Sequence, residues 1–372
     1  MHSTLVRLVR SVAVVGTLAL SLVVSTGPAN ASGHDDHPGQ GHSRYVQTNL
    51  VADTPGKAQI TDPNLVNPWG VSYGPTTPLW VSNNGTGTST LYAGGIHGGT
   101  QTINPLVVTI PGGGPTGQIF NPTTDFVVHG SDGSSAPAKF IFVGVTGHLS
   151  GWAPNVPAPV PSTNAQDAVV TPGAAFTGLA IAATSSGSRL YAADFSAGTV
   201  DVYNGMFQRI ITSGDFLDPK LPFGYSPFNV QVLGGKVYVA YAKIDRSTGR
   251  DIHAKGLGRV DVFDVDGNLL SRIHQTSELN APWGMTIAPA GFGKLSGDLL
   301  VGNFGDGRIH AYSPRTLKEL GSVRNARGRA IIIDGLWALT PGNGVEAGTD
   351  QVIFTAGPHN GMHGLLGTLS LR

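Results

Sequence analysis

Six stretches of similar pattern recur along this chain at intervals of roughly 50 residues, and that periodicity narrows the fold more than any other feature. Each unit opens on a short apolar stretch behind a turn-forming residue. The openings are Pro68-Trp69-Gly70-Val71, Thr124-Asp125-Phe126, Thr177-Gly178-Leu179, Phe228-Asn229-Val230, Pro282-Trp283-Gly284-Met285 and Asp334-Gly335-Leu336. With Val71, Phe126, Leu179, Val230, Met285 and Leu336 as anchors, the separations are 55, 53, 51, 55 and 51 residues. A second apolar run follows each opening, as in Leu79-Trp80-Val81, Leu190-Tyr191-Ala192 and Leu299-Leu300-Val301. A third run alternates apolar and polar residues, as in Thr199-Val200-Asp201-Val202-Tyr203, Arg259-Val260-Asp261-Val262-Phe263 and Arg308-Ile309-His310-Ala311-Tyr312. Alternation with period two marks a strand with one buried face. A fourth short stretch, such as that after Asn268, leads into the next unit.

Four short strands in each of six units predict an all-β protein, a six-bladed β-propeller over residues 44–372. The alternative, a two-sheet sandwich, has no need of six evenly spaced units. The last unit ends at its third strand, Leu365 to Leu371, while Tyr45 to Val51 is a strand-like segment with no partner nearby. That segment is predicted to supply the missing fourth strand and close the ring, leaving no open edge. Composition agrees: charged residues are 12% of the chain, and 53 Gly with 25 Pro supply the turns.

Ahead of the repeats, Arg7 and Arg10 precede an apolar stretch from Ser11 to Val24, and Ala29-Asn30-Ala31 fits a small-x-small cleavage rule. Residues 1–31 are therefore expected to be a signal peptide, and the apolar stretch is shorter than the ~20 residues of a membrane span. No later segment is long and apolar enough to span a bilayer. The expectation is a secreted, extracellular protein. Residues 32–43 carry His34, Asp35, Asp36, His37 and His42 and read as a flexible, solvated leader, although imidazoles beside carboxylates can chelate a metal. With 23 basic and 23 acidic residues, nucleic acid is not an expected partner. The absence of Cys excludes disulfides and thiolate sites.

The openings, the Leu190-Tyr191-Ala192-Ala193-Asp194 type of second strand and the Gly198-Thr199-Val200-Asp201-Val202-Tyr203 type of third strand resemble NHL-type propellers. Related folds include streptogramin lyase, the gluconolactonase group and peptidyl-amidoglycolate lyase. Asn64-Leu65-Val66-Asn67-Pro68-Trp69-Gly70 with Trp80-Val81-Ser82-Asn83-Asn84-Gly85 resembles an uncharacterised exported bacterial propeller-like family. The resemblance supports the fold. It transfers no residue roles, because fold does not carry function.

In a blade of four antiparallel strands, the loop leading into strand 1 and the loop between strands 2 and 3 share one face. The ends of the second strands place Asn83, Asp194 and Asn303 there, each followed four residues later by Gly87, Gly198 or Gly307. Other blades add His148, His253, His359 and His363, and the loops leading into strand 1 add Asn67, Asn121, Asn280 and Asp334. Imidazole with carboxylate suits Zn or Cu, whereas Asp and Asn oxygens suit Ca. The expected site is thus a divalent metal on this face, held by His148, His253, His359, His363 and Asp194, with His359 and His363 also acting as catalytic acid and base. Asn67, Asn83, Asn280 and Asn303 are expected to contact the ligand. A metal-dependent lyase or hydrolase of a small molecule follows, and the competing reading is a non-catalytic module binding an extracellular polymer such as a glycan or peptide. Asn, Asp and Gly in such loops are also ordinary turn formers. Asp264-Val265-Asp266-Gly267-Asn268 reads as a hairpin turn, since no Glu follows at calcium-loop distance.

Overall fold

The computed structural model describes residues 43–273 and 277–372. The expected signal peptide, and the leader up to residue 42, lie outside them. Six antiparallel sheets stand in a ring, their first strands packed side by side around a common axis. Blade 3 has the plainest form: Phe176–Thr184, Gly187–Asp194, Thr199–Asn204 and Arg209–Ile210 run from axis to rim. Blade 1 is Pro68–Ser72, Leu79–Asn83, Thr88–Ala93 and Thr102–Thr109. Blade 2 is Pro115–Phe120, Phe140–Gly144, His148–Trp152 and Gln166–Val170. Blade 4 is Tyr225–Leu233, Lys236–Asp245, Gly258–Phe263 and Leu269–Arg272, and blade 5 is Pro282–Ile287, Leu299–Asn303, Ile309–Tyr312 and Glu319–Ser322. The residues between Phe263 and Leu269 form the expected turn, with Asp264 Oδ1 accepting the N–H groups of Asp266 and Asn268 at 2.9 Å each.

Blade 6 takes three strands from the C-terminus, Leu336–Pro341, Val352–Ala356 and Leu365–Leu371, and its fourth from Tyr45–Ala52. The closing strand runs antiparallel from Tyr45 opposite Leu371 to Ala52 opposite Leu365. The ring is closed by the N-terminal strand, as the sequence predicts. Tyr45 also ties blade 6 to blade 5: its buried ring stacks on Phe292 at 4.5 Å and its hydroxyl donates to the Phe292 carbonyl at 2.9 Å.

Two of the six anchors are displaced. The register that pairs Val71 with Val81, Leu179 with Ala192, Val230 with Val239 and Met285 with Val301 pairs Gln118 with Phe142 and Leu339 with Phe354. Blade 2 therefore opens at Pro115, ahead of the Thr124-Asp125-Phe126 segment. Phe126 is fully buried against Phe207 and precedes a separate small hairpin, Val127–His129 with Ser135–Pro137. Its burial mimics an anchor. The true position carries a polar residue: Gln118 is buried, accepts from Ser82 Oγ at 2.6 Å and donates to the Trp80 carbonyl at 2.6 Å and to Ser72 Oγ at 3.0 Å. A satisfied amide can replace an apolar anchor because each of its polar atoms recovers in blade 1 what it loses from water. In blade 6 the anchor is Leu339 in place of Leu336, which aligns with Pro68 and Pro282.

The register also explains the Gly one place before the anchor. A Cβ on Gly70 would lie 2.4 Å from the Thr116 oxygen, and one on Gly117 would lie 2.3 Å from the Leu179 nitrogen. At these two positions the first strands approach this closely because no side chain stands between them, whereas blades 4 and 6 carry Asn229 and Ala338 at the same place. Among the described residues no helix is long and apolar enough to cross a membrane.

Candidate functional site

The strand 2 to strand 3 hairpins of blades 1, 3 and 5 are built alike. The N–H of Gly87, Gly198 and Gly307 donates to the carbonyl of Asn83, Asp194 and Asn303 at 3.0, 2.9 and 3.0 Å, and each glycine has a positive φ of 69°, 78° and 68°. The polar side chains at the hairpin starts are buried and turn back onto local groups. Asn83 Nδ2 donates to Thr88 and Thr90 hydroxyls at 3.2 and 2.9 Å. Asp194 Oδ1 accepts from the backbone N–H of Ala175, Ser196 and Ala197 at 3.0–3.2 Å and from Ser196 Oγ at 2.7 Å. Asn303 Nδ2 donates to the Glu278 carbonyl at 2.7 Å, and its Oδ1 accepts the Asn280 N–H at 3.1 Å. Asn280 is buried beside it. Asn67 has a positive φ of 47°, and its Oδ1 accepts the Trp337 indole N–H at 3.0 Å.

The four histidines lie on three blades, and three of them pair with their own carboxylate. His148 begins the third strand of blade 2 and reaches Asp167 on the outer strand at 2.8 Å. His253 stands in the long loop between strands 2 and 3 of blade 4, bonded to Asp251, which raises its pKa above the ordinary 6.5. His359 and His363 share the corresponding loop of blade 6, with ring centroids 5.4 Å apart at 74°. His363 Nδ1 lies 2.9 Å from Asp53 Oδ2 and 3.2 Å from Thr54 Oγ1. The His359 backbone N–H donates to Asp334 at 2.9 Å. Burial works to raise the Asp53 carboxyl, but the Gly364 N–H and His363 together hold it below its ordinary value. The structure thus joins His359 with His363 and leaves His148, His253 and Asp194 on blades 2, 4 and 3. Among the described residues no group of three or more His, Asp or Glu side chains is arranged to hold a metal ion.

The centre of the same face carries a cluster of aromatic rings. Trp69, Phe228, Trp283 and Trp337 occupy the second position before the anchor in blades 1, 4, 5 and 6, at the bulge that interrupts each first strand, and their rings pack in one cluster. Phe195 and Phe304 join them from the hairpins, each one residue beyond Asp194 or Asn303. Phe304 stacks on Trp337 at 3.8 Å and 17°, and Trp337 stacks on Trp69 at 3.5 Å and 19°. Trp283 meets Trp337 edge-on at 5.7 Å. Below this floor the axial cavity measures about 40 Å³, room for water only. Phe304 is partly exposed, and His253 stands edge-on above it at 5.0 Å and 85°. Trp69 Nε1 is buried without a hydrogen-bond partner. The openings Pro68-Trp69-Gly70-Val71 and Pro282-Trp283-Gly284-Met285 give Trp69 and Trp283 the same place in their units. The axial convergence, and Trp337 as its third member, follow only from the corrected register of blade 6.

No family model matches the chain. It is 31% identical over 329 residues to an uncharacterised protein of Acanthamoeba polyphaga mimivirus, covering 86% of this chain and 78% of that protein. A second uncharacterised protein of the same virus is 31% identical over 334 residues, covering 86% and 84%. Among solved structures, the soluble aldose sugar dehydrogenase of Escherichia coli in its apo-form is similar with a TM-score of 0.50 and 11% identity, over 88% of this chain and all of that one. Virginiamycin B lyase from Staphylococcus aureus is similar with a TM-score of 0.43 and 12% identity, over 89% of this chain and all of that one. At such identities the likeness is one of fold.

Proposed function

The chain belongs to the same family as these two mimivirus proteins, and from that premise we propose that it is an exported propeller whose loop face binds a ring-bearing ligand, a small molecule or the end of an extracellular polymer. The observation that carries this reading is the stacked column of Phe304, Trp337 and Trp69 at the axis, capped by a partly exposed ring with the His253–Asp251 pair beside it. A flat apolar floor takes a sugar or aromatic face, and a polar rim orients it. Three of the five tryptophans lie in this cluster, so intrinsic fluorescence reports on it. Titration with a panel of mono- and oligosaccharides and aromatic acids should yield a saturable fluorescence change. Phe304→Ala should weaken the response about five- to tenfold. A response undiminished in Phe304→Ala and His253→Ala would place the ligand elsewhere.

The His359–His363 pair favours a second reading, a divalent metal held by two imidazoles and water, with Asp53 orienting His363 from behind. Bound metal would serve as Lewis acid or water activator for a lyase or hydrolase. Elemental analysis of protein lacking residues 32–43 tests it: stoichiometric metal that disappears in His359→Ala supports this reading, and metal-free protein removes it.

A further inference from the structure

Residues 211–224 connect blade 3 to blade 4, and Phe216 pins this segment between the two blades, its ring 5.5 Å from Tyr191 and 5.3 Å from Phe263. Beyond Phe216 the segment crosses the third and outer strands of blade 4, leaving a cavity of about 440 Å³ that opens at the rim. Asp218, Lys220, Arg259, Asp261 and Arg272 line it, with Leu221, Pro222 and Ile273 as its apolar wall.

The charges in this cavity do not cancel pairwise. Asp218 binds Arg272 through both oxygens, at 2.5 and 2.7 Å, and also accepts the Lys220 backbone N–H at 2.8 Å. Asp261 is 2% exposed and lies against Asp218, to which its carboxyl donates a hydrogen bond when protonated, and no N–H or hydroxyl donor reaches its Oδ2. Arg259 spends one nitrogen on the carbonyls of Gly256 and Gly258 and rests over the Tyr225 ring at 4.9 Å. Among the described residues neither Arg259 nor Lys220 has an ion-pair partner. Burial first, and the Asp218 charge second, push the Asp261 carboxyl up to about 7. The groups facing Asp261 are Asp218 and Lys220 from the connection, Arg259 from its own strand, Arg272 from the outer strand and the buried Tyr241 from the second strand.

We propose that this cavity is a binding site for a small organic carboxylate, its anionic group taken by Arg259 and Lys220 and its carbon skeleton by the apolar wall. Two unpaired cations call for an anion, and the guanidinium fork suits a planar carboxylate. The Leu221, Pro222 and Ile273 wall takes a carbon skeleton, and Ser271 takes a hydroxyl. A phosphate dianion fits less well, because its second charge would face the Asp218 carboxylate. The site is independent of the axial aromatic floor, so the fate of either reading leaves the other intact.

The test uses the full chain with D-glucuronate as probe, D-glucose as its neutral counterpart and inorganic phosphate as the competing anion, read by titration calorimetry. Glucuronate should bind below neutral pH and weaken by up to about tenfold per pH unit once Asp261 ionises. Arg259→Gln should weaken it about tenfold or more, and so should Lys220→Gln, a surface change that leaves the fold untouched. Asp261→Asn, which adds no negative charge to the cavity at any pH, should bind glucuronate with the pH dependence gone. Absence of saturable glucuronate binding would overturn the proposal. So would glucose binding equally well, phosphate binding more tightly, or a pH dependence that survives in Asp261→Asn.

Discussion

The third strands of blades 3 and 4 share one pattern, Val200-Asp201-Val202 and Val260-Asp261-Val262, and place their aspartates at the same register, opposite Ala192 and Val239. Both aspartates are buried, at 3% and 2% exposure, and each blade sends an arginine from its outer strand toward the same place. In blade 3 the pair closes: Arg209 reaches Asp201 at 2.6 Å, and Thr199 donates to the same oxygen at 3.0 Å. In blade 4 the connection that crosses the rim brings Asp218 in, and Asp218 takes Arg272 for itself. Asp261 is left without a direct ion pair, and burial with the Asp218 charge outweighs Arg272 and Arg259 and draws it toward the protonated state, beside an open cavity. Identical local sequence thus yields a closed ion pair in one blade and a buried acid that holds its proton in the next, where a second carboxylate takes the cation.

Removing the contested cation should have the largest effect. Arg272→Ala strands two buried carboxyl groups and should cost about 3–5 kcal/mol, whereas Arg209→Ala, whose side chain is 62% exposed, should cost about 1–3 kcal/mol. Denaturant unfolding of both variants decides, and equal losses would mean that the two sites are alike after all. Next comes pH. The folded state holds the Asp261 proton more tightly than the unfolded chain does, so this stabilisation is complete below the ordinary value of 3.8 and is lost as pH rises through about 7. Over that interval Asp261 should account for a loss of about 2–4 kcal/mol. Buried Glu346, pushed up to about 8, drifts in the same direction, so the quantity to measure is the difference between the parent protein and Asp261→Asn. That variant should flatten the slope, while Asp201→Asn should instead cost about 1–3 kcal/mol at neutral pH. An unchanged slope in Asp261→Asn would assign the drift to Glu346 alone. The smallest effect belongs to Asp218→Asn, which should change stability by about 1 kcal/mol or less. It frees Arg272 to pair with Asp261 as Arg209 pairs with Asp201, and the Asp261 carboxyl should then titrate well below 7 by carbon-13 NMR. Titration still near 7 would show that burial alone, without competition, holds the proton.

Much of the ring is legible in the residues. Blade 3 opens where Thr177-Gly178-Leu179 places it, and the closing strand at Tyr45 is visible because a three-strand unit at one terminus and an orphan strand at the other complete each other. Periodicity reports burial, though, and burial does not say which element is doing the burying. Phe126 is as buried as any anchor, while Gln118, the true anchor of blade 2, is polar and satisfied only by atoms of blade 1. The same limit governs the loop face. Asn83, Asp194 and Asn303 are correctly placed at the hairpins, but the Asn83 Nδ2, the Asp194 Oδ1 and both ends of the Asn303 amide are engaged by local partners. The aromatic floor went unread because Trp337 aligns with Trp69 and Trp283 only after a shift of three residues in blade 6. The four histidines share a face in sequence logic, yet each is oriented by its own surroundings.

What the sequence determined by itself is the architecture: six four-stranded units, their turns and the source of the closing strand. Strand periodicity and turn chemistry are local properties, and each repeat states them again. Only the tertiary structure decided which polar groups are spent and which remain available. That outcome depends on contacts between residues far apart in the chain, such as Asp218 with Arg272, 54 positions away, and Trp337 with Asn67, 270 positions away. A buried charge or ring takes its chemistry from whichever neighbour reaches it first.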